Sequence, residues 1–167
     1  ALIDPAEHDA LLERAPLDIR VNSLSTTRER MREQFEGAQP IAGTRDGLRL
    51  PEGTAVESSL AFRDGLIEVQ DAGSQLIADA CAAEPGMTVV DLCAGAGGKT
   101  LALAVAMRNE GRLIATDTNR DRIQRLPPRA ERNGAIHVET HLLNPGEERE
   151  VLDAFNDQAD VVLVDAP

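Results

Sequence analysis

Beyond residue 86, short apolar runs rich in β-branched residues alternate with longer segments of helix-forming residues. Apolar runs of this kind are typical of strands buried on both faces of a parallel sheet. We predict strands at "MTVVDLC", "RLIATD", "IHVET" and "ADVVLVDAP", separated by helical segments at "GKTLALAVAMRNEG", "TNRDRIQRL" and "GEEREVLDAF". This alternation has the spacing of βαβ units and predicts an α/β fold with a Rossmann-like parallel sheet. Pro127 and Pro128 must break or restart the helix that leads to the third strand.

The first 70 residues follow a different pattern. In "LDIRVNSL", Leu17, Ile19 and Val21 alternate with polar residues, which predicts a strand. The other predicted elements are a helix over 1–15, a helix over 26–37 capped by Thr26 or Thr27, short strands joined by Gly and Pro turns over 38–70, and a helix over 71–86 capped near Asp71. The pattern therefore predicts a small α+β subdomain over residues 1–70 and a Rossmann-like domain over 71–167.

The composition excludes several classes of protein. The chain has 167 residues, 42% of them hydrophobic, which suffices for a buried core. No apolar run approaches the ~18 residues of a membrane span, and the charged N-terminus lacks the apolar segment of a signal peptide. Cys81 and Cys93 form no CxxC pair, and the three histidines, His8, His137 and His141, lack metal-ligand spacing. We expect a cytoplasmic protein with no membrane segment and no metal.

Charge is unevenly distributed along the chain. The net charge of −12 disfavours a polyanionic partner. Five arginines nevertheless fall between residues 120 and 132, and the plainest interpretation of this cluster is a solvated helix face of mixed charge. The single lysine, Lys99, lies in a glycine-rich stretch.

That stretch, "VVDLCAGAGGKT" at residues 89–100, partly matches two nucleotide-binding motifs. Its "GKT" matches the end of a phosphate-binding loop, but Cys93 stands where that loop requires its first glycine. Gly95 and Gly97 match a dinucleotide fingerprint, but Thr100 occupies the third glycine position. Both matches are incomplete, and a glycine turn that only packs a helix against a strand remains an alternative.

The whole stretch resembles motif I of class I S-adenosylmethionine methyltransferases. In that motif a strand ends in an acid and a glycine-rich turn of small residues leads into a helix. Glycines remove Cβ atoms where the backbone bends and approaches a ligand. Asp91 ends the predicted strand, where a carboxylate could pair with the ammonium group of the donor or hold the loop through its amides.

A second acid follows the next predicted strand. Asp117 lies 22 residues after Gly95, at the end of "RLIATD". A carboxylate in this position accepts hydrogen bonds from both ribose hydroxyls of an adenosine-containing ligand. The alternative is that Asp117 only caps the following helix.

Three further stretches resemble the RsmB/NSUN family of RNA cytosine-C5 methyltransferases. They are "PLDIRVNSLSTTRERM", "VQDAGSQLIADAC" and "VVLVDAP", which match the family patterns "P-x-x-x-R-V-N-x-L", "VQD-x-x-S" and the start of "D-A-P-C-S-G". With "LCAGAGGKT", the resemblance covers residues 16–167. It implies a partial class I methyltransferase sheet preceded by a substrate-side subdomain. It also implies S-adenosylmethionine as donor and RNA, specifically 16S-type ribosomal RNA, as partner.

The resemblance also implies site residues and a mechanism. In the family, a cysteine thiolate attacks C6 of cytosine, C5 then takes the methyl group, and a second cysteine aids release of the enzyme. Asp165 matches the acid beside the target base, and Lys99 matches the motif I lysine at the edge of the site, so both are candidate catalytic residues. The candidate donor-binding residues are Asp91, Cys93, Ala94, Gly95, Ala96, Gly97, Gly98, Lys99, Asp117 and Asp165.

The sequence departs from the family pattern in two places. The motif cysteine would follow Pro167, the last residue, so we expect this chain to be catalytically inactive and to bind RNA poorly. Cys93 is then a small loop residue and Cys81 a buried helix residue. The family often has an adenine-contacting Asp after the third strand, where this chain offers His141 or Asn144. The alternatives are another class I methyltransferase, acting on a nitrogen or a small molecule, and a Rossmann-like binding module.

Overall fold

A computed structural model describes residues 15–166, in which two four-stranded sheets are present. The helix predicted over 1–15 falls almost entirely outside the described residues. The first sheet is antiparallel, with strand order β2-β3-β1-β4. Its elements are β1 (Leu17–Val21), α1 (Arg28–Gln34), β2 (Gln39–Pro40), β3 (Gly47–Leu50), α2 (Leu60–Arg63) and β4 (Ile67–Val69).

The apolar residues of β1 form the centre of the first core. Ile19 and Val21 are fully buried against Met31 of α1, Leu48 of β3 and Ile67 of β4. The structure thus confirms the strand predicted from the alternating apolar positions.

The polar residues of β1 are buried as well, which the alternation did not indicate. Asp18 accepts two hydrogen bonds from the guanidinium of Arg49, at 2.8 and 3.0 Å. Arg20 donates from Nε to Gln70 at 2.8 Å. Buried polar groups of this kind persist because they find partners on neighbouring elements.

The second sheet is parallel, with strand order β7-β6-β5-β8, and it confirms the predicted Rossmann-like α/β fold. Its elements are α3 (Ala72–Ala80), β5 (Thr88–Asp91), α4 (Gly98–Ala106), β6 (Arg112–Asp117), α5 (Arg120–Ile123), α6 (Leu126–Asn133), β7 (Val138–Leu142), α7 (Glu148–Asp153) and β8 (Val161–Leu163). Its core contains the buried side chains of Val89, Leu101, Leu103, Leu113 and Leu126.

Two predicted helices end at least five residues earlier in the structure than predicted. The helix predicted over 71–86 ends at Ala80, because Ala82 adopts a left-handed conformation with φ of 47°. The helix predicted over 98–111 ends at Ala106, shortly before Arg108 and Asn109 at φ of 54° and 57°. A residue in this region cannot continue a right-handed helix.

The two prolines restart a helix, as predicted. α5 ends at Ile123, and α6 begins at Leu126 with Pro127 and Pro128 in its first turn. Proline is tolerated there because the first-turn amides have no intrahelical acceptor.

The strand order places a crevice beside β5. The chain runs outward from β5 to β6 and β7, and then returns to β8 on the other side of β5. In open α/β sheets, ligands bind at the carboxyl ends of the strands where the direction of winding reverses. Asp91 ends β5 at this place, and Asp165 follows β8.

Candidate functional site

The glycine loop between β5 and α4 is bent by two left-handed glycines, Gly95 at φ of 56° and Gly97 at φ of 89°. The amide of Gly97 donates to the carbonyl of Ala94 at 2.8 Å, which closes a tight turn. A Cβ on Gly97 would overlap the side chain of Leu126, whereas a Cβ on Gly95 would meet no atom within 4 Å. The backbone at Gly95 is therefore open to a ligand, as motif I requires.

Asp117 holds the glycine loop from the end of β6. Its Oδ2 accepts the amide of Gly95 at 2.8 Å, and its Oδ1 accepts the amide of Asn119 at 2.7 Å. The side chain of Asn119, not that of Asp117, caps α5 by accepting from the amide of Arg122. The helix-cap interpretation of Asp117 was therefore wrong. Each carboxylate oxygen has a second lone pair and can still accept a hydrogen bond from a ligand.

Asp91 lies beneath the loop and is almost fully buried. Its Oδ2 accepts the hydroxyl of Thr100 at 2.7 Å, and no described hydrogen bond joins it to a loop amide. Burial raises the pKa of Asp91 to about 6, an effect that the bond from Thr100 and the charge of Lys99 reduce. A carboxylate with few partners in a buried position favours a cation beside it.

Three elements converge on the ammonium of Lys99. Its Nζ lies 2.6 Å from Oδ2 of Asp165, which follows β8, and donates to Oγ of Ser74 on α3 at 3.1 Å. The Lys99 side chain is 15% exposed and that of Asp165 is 43% exposed. The lysine is therefore held in place, whereas its acidic partner remains accessible.

These residues surround a cavity of about 240 Å³ at the crevice. It is lined by Val69, Gln70, Asp71, Ser74, Asp91, Cys93, Ala94, Gly98, Lys99 and Asp165. The structure thus brings most of the candidate residues together, while Asp117, Gly95, Ala96 and Gly97 lie in or against the adjoining loop. A larger hollow of about 730 Å³ on the antiparallel sheet contains none of them.

Neither cysteine is activated. Cys93 lines the cavity, and burial together with the nearby carboxylates of Asp117, Asp91 and Asp165 raises the pKa of its thiol. Cys81 donates to the carbonyl of Ile77 at 3.4 Å, and burial raises the pKa of its thiol too. Reactive cysteines have lowered pKa values, because the thiolate is the nucleophile.

Sequence reasoning left some of the surrounding residues unassigned. Gln70 and Ser74 line the cavity, and the "VQD-x-x-S" pattern contained the signal for both. His141 packs edge-on against Phe155, with 5.4 Å between ring centroids, and Asn144 donates to Glu147 at 2.9 Å. Neither His141 nor Asn144 lines the cavity, so an adenine contact from either stays a prediction.

Residues 15–166 show neither a metal-binding cluster nor a membrane-spanning helix. That part of the chain contains no group of three or more His, Cys, Asp or Glu side chains placed to hold a metal ion. None of its helices is both long and apolar enough to cross a membrane.

The chain is similar to proteins of a known family. Residues 74–167 match the family model for 16S rRNA methyltransferase RsmB/F. The chain is 32% identical, over 89% of its length, to the probable ribosomal RNA small subunit methyltransferase B of Bacillus subtilis. It is 34% identical, over 95% of its length, to ribosomal RNA small subunit methyltransferase B of Serratia proteamaculans. It spans 34% and 37% of these two relatives, about a third of their length.

Solved structures agree with the fold. A methyltransferase homolog protein from Pyrococcus horikoshii superimposes with a TM-score of 0.83 at 29% identity, over 95% of this chain and 52% of that one. NSun6 from Pyrococcus horikoshii with SFG superimposes with a TM-score of 0.79 at 17% identity, over 92% of this chain and 64% of that one. Because the family model covers more than half of the sequence and the motifs agree with it, the chain belongs to the RsmB/NSUN family of methyltransferases.

Proposed function

We propose that this chain binds S-adenosylmethionine at the carboxyl edge of its parallel sheet and takes part in methylating C5 of cytosine in RNA. We further propose 16S-type ribosomal RNA as the substrate, since two of the relatives are named as small subunit methyltransferases. The observation that carries the proposal is the grouping of Asp91, Asp117 and the Lys99–Asp165 pair around one open glycine loop.

The residues of the loop fit the methyl donor. Asp91 offers a buried carboxylate to the donor's ammonium, and an opposite charge within a few ångströms favours the ionised carboxylate. Asp117 offers its remaining lone pairs to the ribose hydroxyls while its amide bonds hold the loop. The bare backbone of Gly95 lets the adenosine part lie against the turn. When bound, the donor supplies an electrophilic methyl group.

The proposed reaction needs a covalent bond from the enzyme to the base. A cysteine thiolate adds to C6, and the electrons of the C5–C6 double bond become available at C5, which then takes the methyl group. Loss of the C5 proton and departure of the thiolate restore the double bond. In this proposal Asp165 accepts a hydrogen bond from cytosine, and its ion pair with Lys99 holds the carboxylate in position. We assign the thiolate to neither Cys81 nor Cys93, because both thiols have raised pKa values.

Calorimetry on the 167-residue chain tests the donor site. We expect S-adenosylhomocysteine to bind and ATP not to bind. Asp117→Ala should weaken S-adenosylhomocysteine at least about tenfold, since charge-assisted hydrogen bonds to the loop and the ribose are lost. The matched control is Asp160→Ala, because Asp160 also accepts a backbone amide, that of Thr88, but at the opposite edge of the sheet. Preference for ATP, or equal effects of both variants, would contradict the proposal.

The substrate is tested in the cell that makes the protein. Deleting the gene and sequencing bisulfite-treated ribosomal RNA should show the loss of a 5-methylcytosine in the small subunit RNA. Unchanged methylation of that RNA would refute the substrate assignment without affecting the donor site.

A further inference from the structure

Arg129 of α6 joins the glycine loop to the antiparallel sheet. Its Nη1 donates to the carbonyl of Ala96 at 2.7 Å, and its Nη2 donates to Oε2 of Glu68 on β4 at 2.6 Å. The guanidinium is a rigid planar fork, so the position of one partner constrains the position of the other. The arginine cluster is therefore more than a solvated helix face.

Glu68 is a fixed anchor for this contact. It is buried, and it also accepts hydrogen bonds from Arg132 and from Nδ2 of Asn133. Burial alone would raise the pKa of Glu68, but the charge of Arg129 and the hydrogen bonds from Arg129, Asn133 and Arg132 lower it. The carboxylate therefore stays ionised, and its three partners all lie on α6 at helical spacing.

On the loop side, Arg129 holds one end of a peptide plane. The carbonyl of Ala96 and the amide of Gly97 belong to the same planar unit, and that amide donates to Ala94 at 2.8 Å. Gly97 has no Cβ to resist rotation of this plane. The hydrogen bond from Arg129 to the Ala96 carbonyl and the bond from the Gly97 amide to Ala94 thus hold opposite edges of this peptide plane. Without them, the glycine at position 97 would permit the peptide to rotate.

We propose that Arg129 is a positioning residue for the methyl donor. It locks the Ala96–Gly97 peptide and ties its orientation to the antiparallel sheet through Glu68. This inference rests on the proposed function, since it takes the glycine loop as the donor site. The affinity for the donor then depends on a contact made by the other sheet.

The test compares Arg129→Lys with Arg132→Lys. Both variants keep the charge beside Glu68. Arg132 shares that partner and packs over Phe62, and no described hydrogen bond joins its side chain to the loop. A lysine ammonium cannot bridge the carbonyl and the carboxylate in fork geometry. We expect Arg129→Lys to weaken S-adenosylhomocysteine about tenfold and Arg132→Lys to change its affinity less than about twofold. Equal effects, or no effect of Arg129→Lys, would overturn the proposal.

Hydrogen exchange in the free protein gives an independent readout. In Arg129→Lys, the Gly97 amide should exchange at least about tenfold faster while core amides of β6 keep their protection. Unchanged exchange at Gly97 would overturn the proposal. If the unmodified chain failed to bind S-adenosylhomocysteine, the proposed function would fail, and the exchange data would still decide whether Arg129 locks the loop.

Discussion

Lys99 and Asp165 form an ion pair with 2.6 Å between Nζ and Oδ2, although 66 residues separate them in the sequence. Lys99 lies in the first turn of α4, and Asp165 follows β8, on the far side of the crevice beside β5. Strand winding alone brings these two residues together, since β8 returns to pair with β5. The pair closes one wall of the cavity that we assign to the donor and the target base.

Asp165→Asn should separate function from stability. An ion pair with a half-exposed acid contributes at most about 1 kcal/mol, so the free energy of unfolding in urea should change little. Methylation of small subunit RNA should fall at least about 100-fold in cells that carry only this variant. The control is Glu139→Gln, which removes the similarly exposed acid paired with Arg112 and should leave methylation intact. Normal methylation by Asp165→Asn would exclude Asp165 from the reaction.

Gly97→Ala should destabilise the fold through a steric overlap. The left-handed φ of 89° costs a non-glycine residue about 1 kcal/mol, and overlap with Leu126 adds about 1–3 kcal/mol. Gly53→Ala is the matched control, because Gly53 has a φ of 82° and a Cβ there would meet no atom within 4 Å. In chemical denaturation, the free energy of unfolding should therefore fall by about 2–4 kcal/mol for Gly97→Ala and by about 1 kcal/mol for Gly53→Ala. Similar losses would mean that Leu126 moves aside.

Asp91 should make stability depend on pH. Its pKa is raised from 3.8 to about 6, so the folded state binds this proton more tightly than the unfolded state. The stabilisation of the folded state by this bound proton is fully present below the pKa of the unfolded state, and it is lost as the pH rises through about 6. The side chain in Asp91→Asn cannot ionise. Relative to the unmodified chain, the free energy of unfolding of this variant should therefore rise by up to about 3 kcal/mol between pH 4 and pH 7. Urea unfolding across this range measures the difference, and a constant difference would contradict the raised pKa.

Glu68→Gln should lower the free energy of unfolding far more than the removal of an exposed acid does. It leaves the partly buried Arg129 and Arg132 without their shared carboxylate and removes a negative charge that favours the buried, charged Arg20. Breaking a buried ion pair costs about 3–5 kcal/mol, whereas Glu139→Gln at an exposed pair should cost less than about 1 kcal/mol. Thermal or urea unfolding of the two variants gives the comparison. Equal losses would show that Glu68 is not an energetic anchor between the sheets.

Local patterns predicted the elements of the parallel sheet well, because buried strands and helix caps leave signals within a few residues. Asp71 caps α3, as expected, through its bond to the amide of Ser74. The ends of α3 and α4 were misplaced, since non-glycine residues such as Ala82 and Asn109 take left-handed conformations that no local pattern announced. The burial of Asp18 and Arg20 was also missed, because their partners come from other elements.

The sequence by itself determined the alternation of strands and helices, the glycine loop and the acids that end β5 and β6. Each of these depends on side-chain chemistry over short stretches of chain, and motif resemblance then indicated the family. Only the tertiary structure decided that Asp117 holds Gly95, that Lys99 meets Asp165, and that Arg129 ties Ala96 to Glu68. These contacts join residues 22 to 66 positions apart, and their geometry depends on how the two sheets and α6 pack. Packing of that kind is set by the whole fold, which no local pattern contains.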